Sequence, residues 1–80
     1  MVKIEGNKLI IQTFPNHFQS ELREIKRYTL LYISEVGDET FNKIVDECQY
    51  IEIHSVDTDY HFTRRMRTCI RYDDIIIISW

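Results

Sequence analysis

Residues Tyr50 to Trp80 read YIEIHSVDTDYHFTRRMRTCIRYDDIIIISW: an acidic, aromatic arm, an arginine-rich arm and a run of four isoleucines, divided by two turn signals. Gln49 to Val56 alternates apolar and polar residues as a half-buried strand does. Asp57-Thr58-Asp59-Tyr60 then supplies a turn before His61 to Arg71, and Asp73-Asp74 supplies the next. The pattern predicts a three-stranded β-meander.

A two-residue loop at Thr58-Asp59 sets Val56 opposite His61, His54 opposite Thr63, Glu52 opposite Arg65 and Ile51 opposite Met66. Ile51, Ile53, Phe62 and Met66 then share one face, while Glu52 meets Arg65 on the other, a pairing that stabilises a hairpin. Arg64 is discordant, because it points toward the apolar face and must snorkel to an edge.

The turn at Asp73-Asp74 sets Tyr72 opposite Ile75, Arg71 opposite Ile76, Ile70 opposite Ile77 and Cys69 opposite Ile78. Ile70, Ile75 and Ile77 extend the apolar face. Strict alternation along a strand sends Ile76, Ile78 and Trp80 to the face carrying Arg65, Arg67 and Arg71. Either the first helix covers that face or it is a contact surface, since Trp and Arg dominate interface energetics. Arg65, Arg67, Arg71, Ile76, Ile78 and Trp80 are therefore the candidate partner-binding residues.

Upstream, Val2 to Glu5 and Lys8 to Phe14 read as a hairpin around Gly6-Asn7. Pro15 ends it and a helix begins near Asn16, capped by Asn16 or Ser20, with Phe18, Leu22 and Ile25 at helical spacing. Tyr28 to Ser34 suits a buried strand better than a helical continuation, because it is short and rich in β-branched and aromatic residues. Gly37 breaks the chain and Asp38 can cap. Phe41, Ile44, Val45 and Cys48 then mark an amphipathic helix from Glu39 to about Cys48. The fold class predicted is a small single α+β domain over residues 1–80, with a mostly antiparallel sheet of four or five strands, one or two helices and the C-terminal meander.

With 80 residues, 44% of them hydrophobic, and only two glycines and one proline, the chain has a folded composition. At this size only about 60 to 65% of the unfolded surface is buried, so the core is thin. The net charge of −3 conceals an asymmetry. Eight acids stand against Lys43 alone between Glu35 and Tyr60, a local balance of −7, whereas His61 to Tyr72 carries four arginines and no acid. Those segments either neutralise one another or form two patches that steer partners.

Cys48 and Cys69 allow one disulfide at most. The amino-terminal residues lack a signal peptide's apolar stretch, and four consecutive isoleucines fall far short of the roughly 20 apolar residues of a membrane span. The expectation is a cytoplasmic protein with reduced thiols and no membrane partner.

No catalytic, metal or phosphate-binding motif stands out. The spacings of Cys48, His54, His61 and Cys69 match no structural zinc site, and the acids of Asp57-Thr58-Asp59 are those of an ordinary turn. The sequence therefore points to a non-enzymatic, cofactor-free interaction protein of the regulator or inhibitor kind, binding a protein partner stoichiometrically. Its size and divided charge suit small inhibitors made by phages and mobile elements. The partner is met either by the arginine–isoleucine–tryptophan face, with a second copy of the chain as one option, or by an acidic surface around Glu35, Asp38, Glu39, Asp46 and Glu47 that mimics nucleic acid. The alternative is a nucleic-acid-binding regulator using the Arg-rich strand 61–72, where arginines and aromatics mix as on single-strand surfaces. A small enzyme or metal-binding domain is the third reading.

Overall fold

The computed structural model describes residues 2–80 and has an α+β architecture of seven strands in two sheets with three helices. β1 (Val2–Glu5) and β2 (Lys8–Thr13) form the predicted hairpin. Gly6, at φ 60°, takes the left-handed position that glycine occupies at little cost. α1 (Pro15–Leu22), β3 (Tyr28–Tyr32), α2 (Ile33–Val36) and α3 (Asp38–Glu47) follow. The chain then runs through β4 (Tyr50–Ser55), β5 (His61–Arg65), β6 (Thr68–Tyr72) and β7 (Ile75–Ser79).

The antiparallel succession expected at the C-terminus is present, but its middle arm bends. Met66 donates its backbone N–H to Gln49 O (2.8 Å) beside β4, and Arg67 donates its own to Ser79 O (2.7 Å) in β7. One peptide thus carries the chain from a four-stranded sheet, β1-β2-β4-β5, to a three-stranded one, β3-β7-β6. All pairings are antiparallel except β2 with β4, which runs parallel from Lys8–Tyr50 to Thr13–Ser55. Alternation gives no hint of this, because Leu9 and Ile11 meet Ile51 and Ile53 on one face whichever way the strands run.

Bending the middle arm inverts the predicted faces beyond it. The β6–β7 register is the one expected, from Cys69–Ile78 to Tyr72–Ile75, yet Ile76 and Ile78 are fully buried while Ile70 is 55% exposed. The β4–β5 register slides by two residues, because Ser55 N–H bonds Tyr60 O and lengthens the loop. Glu52 therefore faces Thr63, and Arg65 faces Tyr50. A slip of two keeps every side chain on its face, so Ile51, Ile53 and Phe62 stay inside.

Both sheets and two helices feed one core: Leu9, Ile11, Ile51, Ile53 and Phe62 from the first sheet, Leu31, Ile76 and Ile78 from the second, Phe18 from α1 and Ile44 from α3. α1 has Pro15 in its first turn and no side-chain cap, so neither Asn16 nor Ser20 plays the expected part. It stops at Leu22. Glu24 adopts φ 61°, its N–H bonding Glu21 O (3.2 Å) while Ile25 N–H bonds Ser20 O (3.0 Å), the pair of bonds that closes a Schellman motif. Leu22 and Ile25 consequently lie outside, 38% and 77% exposed, and Glu21 joins Phe18 on the buried side.

The stretch from Tyr28 is a strand, as its composition suggests, but it ends at Tyr32, with α2 taking Ile33 and Ser34, and it is buried on one face only: Leu31 is inside while Tyr28, Leu30 and Tyr32 are exposed. Gly37 (φ 87°, ψ 157°) separates α2 from α3 and stands at the N-cap in place of Asp38. Ile44 is fully buried, Phe41 and Cys48 pack against the core, and Val45 is turned outward.

Candidate functional site: an arginine–tryptophan groove

The bend at Met66-Arg67 also gathers cationic side chains. Arg65 is the last residue of β5 and Arg67 immediately precedes β6. Trp80 follows β7 and is held by its N–H bond to Arg27 O (3.1 Å). These residues line two adjoining depressions of about 200 and about 460 Å³; Arg27, Arg64 and Glu24 complete the smaller and Met66 the larger.

Each wall has a physical reason to stand where it does. The Trp80 indole meets Phe62 edge-on at 6.4 Å, and Phe62 in turn meets Phe18 of α1 at 5.4 Å, which anchors the groove floor to the core. The indole Nε1 is buried with no hydrogen-bond partner among the described residues. Arg64 resolves its sequence-level discord by lying over the Phe62 ring, 4.9 Å from its centroid, with Nε 3.7 Å from Glu24 Oε1. Arg27 binds the other oxygen of Glu24 at 2.8 Å. One carboxylate is thus shared by two guanidinium groups, while Arg65 and Arg67 are exposed and have no ion-pair partner among the described residues.

Of the six candidate partner-binding residues, the structure brings Arg65, Arg67 and Trp80 together and separates the rest. Ile76 and Ile78 are core residues, a correction that follows from the change of sheet. Arg71 pairs with Asp38 at the start of α3 and donates from Nε to Asp73 O (3.1 Å). Arg27 and Arg64 were missed as groove residues, because their approach depends on the Schellman turn, which lacks the glycine that normally announces one. The acidic candidates Glu35, Asp38, Glu39, Asp46 and Glu47 are all exposed, on α2 and α3, and among them Asp38 is engaged by Arg71.

A second polar cluster occupies the outer face of the four-stranded sheet. His54 Nε2 donates to Glu52 Oε2 (2.7 Å), Thr63 Oγ1 donates to Glu52 Oε1 (3.3 Å), and Lys8 Nζ stands 3.6 Å from the same oxygen. The His54 hydrogen bond, ahead of the neighbouring charges, holds the Glu52 carboxyl below its ordinary range. The register slip sets His54 directly opposite His61, and their rings stack at 4.9 Å. The cluster borders a shallow depression of about 340 Å³ whose floor includes Ile10 and Gln12.

Cys48 and Cys69 are free thiols lining one depression, and burial pushes both pKa values up, which suppresses the nucleophilic thiolate. Among the described residues no three His, Cys, Asp or Glu side chains lie close enough to hold a metal ion, and no helix is long and apolar enough to cross a membrane. Comparison with protein-family models, with curated proteins and with solved structures finds no match to this chain.

Proposed function

We propose that this chain is a non-enzymatic interaction protein of the inhibitor or regulator kind, which binds an acidic protein surface stoichiometrically through the groove of Arg65, Arg67 and Trp80. The observation that carries this reading is the pairing of two exposed, unpaired guanidinium groups with a tryptophan rooted in the core. Arginine and tryptophan are the residues on which interface energetics most often concentrate. A guanidinium fork matches a carboxylate in two parallel hydrogen bonds, so aspartate or glutamate side chains of a partner are its natural counterpart.

Two features favour a protein over a nucleic acid. The exposed acids of α2 and α3 and the net charge of −3 disfavour a long polyanion outside the groove. The groove is also short, and its arginines do not form the extended basic track along which a strand of nucleic acid is held. The mechanism is occupancy: the chain covers a surface that its target needs, and no bond is made or broken.

Affinity capture from a lysate, performed with and without nuclease, tests the class of partner. One protein retained in stoichiometric amount after nuclease treatment is the expected result. Retention that disappears with nuclease, and weakens steeply with salt, would replace this reading with nucleic-acid binding.

A further inference from the structure

The three-stranded sheet has an outer face that no helix covers. Its cross-strand rows are Tyr32–Ile75–Tyr72, Leu30–Ile77–Ile70 and Tyr28–Ser79–Thr68. None of these nine positions is charged. Tyr28, Leu30, Tyr32, Ile70 and Tyr72 are between 43% and 71% exposed, which amounts to on the order of 600 Å² of mostly apolar surface. That is at the upper end of the largest apolar patch on a typical monomer, about 300 to 600 Å², and it approaches the ~800 Å² per partner of a standard interface.

The ends of this face identify its occupant. β3 and β6 both run antiparallel to β7, so they start at the same end of the sheet. Lys26 and Arg27 precede β3 and Arg67 precedes β6, which makes that end basic; Asp73 and Asp74, in the β6–β7 turn, make the opposite end acidic. Some of these groups have local partners: Lys26 pairs with Glu21, Arg27 with Glu24, and the Asp74 carboxylate accepts from Ser34. Arg67 and the Asp73 carboxylate have none among the described residues.

A second copy, turned about a two-fold axis that lies in the contact plane perpendicular to the strands, lays its acidic end over the basic end of the first. The same rotation sets the central Ile77 against its own counterpart. A two-fold axis parallel to the strands would instead stack like charges. An uncharged face offers a strongly acidic or basic partner no recognition handle, whereas a copy of this chain brings the same apolar rows and the complementary ends.

We infer that the chain forms a face-to-face homodimer through the outer face of β3, β7 and β6, with the strands of the two copies antiparallel across the interface. This goes beyond the groove's proposed role and stands without it. Light scattering or sedimentation on the purified protein, over a concentration series, should give about twice the chain mass of 9.7 kDa. Ile77→Lys should return the mass to one chain with an unchanged far-ultraviolet circular dichroism spectrum. If that variant fails to fold, Tyr72→Lys carries the same test, because Tyr72 lies on an edge strand and is 71% exposed. Asp73→Lys should weaken the dimer by roughly tenfold or more through like-charge contact with the other copy's basic end. A wild-type protein of single-chain mass at its highest soluble concentration overturns the inference. So does a folded Ile77→Lys or Tyr72→Lys variant that remains a dimer.

Discussion

Ile76 stands directly opposite Arg71 in the β6–β7 ladder, on the same sheet face, yet Ile76 is fully buried while Arg71, on the edge strand, reaches out to Asp38. The pair shows how this small core is closed. The central strand supplies isoleucines to the interior, and the edge strand supplies an arginine that bonds across to the start of α3.

That arrangement sets an unequal cost for neighbouring isoleucines. Ile78→Ala should destabilise the protein by about 2 to 5 kcal/mol, since Ile78 is fully buried. Ile70→Ala, on the uncovered face, should stay within roughly 0.5 kcal/mol in the monomer. Urea unfolding of both variants at a concentration that keeps the chain monomeric checks the difference, and equal losses would contradict the face assignment.

The sequence alone yields the β6–β7 pairing residue by residue, because two aspartates mark the turn and four isoleucines mark the strand. It misassigns the faces, since nothing in Arg65-Met66-Arg67 signals that the chain changes sheets there. A run of eleven residues without glycine or proline reads as one strand. The groove was half legible for the same reason: Arg65, Arg67 and Trp80 are named by composition, but Arg27 and Arg64 enter only through tertiary contacts. The outer apolar face is visible as alternation in Tyr28, Leu30 and Tyr32, and gains meaning only once β7 is known to lie between β3 and β6.

Gly37 should be intolerant of any side chain for a backbone reason. Its φ of 87° with ψ of 157° is glycine territory, although the space around it is open, with no neighbouring side chain within 4 Å of where a Cβ would stand. Gly37→Ala should therefore cost about 1 to 3 kcal/mol. Thermal unfolding checks it; an unchanged midpoint would show that α2 and α3 can join in another conformation.

Glu21 is buried at 1% exposure, with Lys26 Nζ 3.4 Å from Oε2 and with Oε1 lacking a hydrogen-bond partner among the described residues. Burial raises its pKa, and the Lys26 charge opposes the shift without cancelling it. A raised carboxyl favours the fold when protonated, so its contribution is fully present below the ordinary carboxyl pKa and is lost as pH rises through the raised value. Glu21→Gln should raise the melting temperature by several degrees at pH 8, where a buried carboxylate with one oxygen unpartnered costs about 1 kcal/mol or more. The gain should shrink on acidification; a gain independent of pH would contradict the assignment.

Glu52 behaves in the opposite sense. Its pKa is lowered, first by the hydrogen bond from His54, so it contributes stability above the ordinary carboxyl pKa that is lost as pH falls through the lowered value. His54→Ala should move the Glu52 carboxyl titration, followed by carbon NMR, upward toward the ordinary range. An unmoved titration would assign the shift to Lys8 and Thr63 instead.

The groove is tested most directly by charge reversal at its two unpaired arginines. Trp80→Ala is the poorer probe, because Trp80 also packs on Phe62 and its loss costs stability. Arg65→Glu combined with Arg67→Glu changes only exposed side chains. Wild type and this double variant, immobilised in parallel at a density low enough to keep both as single chains, because Arg67 also stands at the basic end of the inferred dimer face, and exposed to the same nuclease-treated lysate, should differ in one respect: the wild type retains a stoichiometric protein, and the equally folded variant does not. Retention of that protein by both would contradict the groove as the binding site.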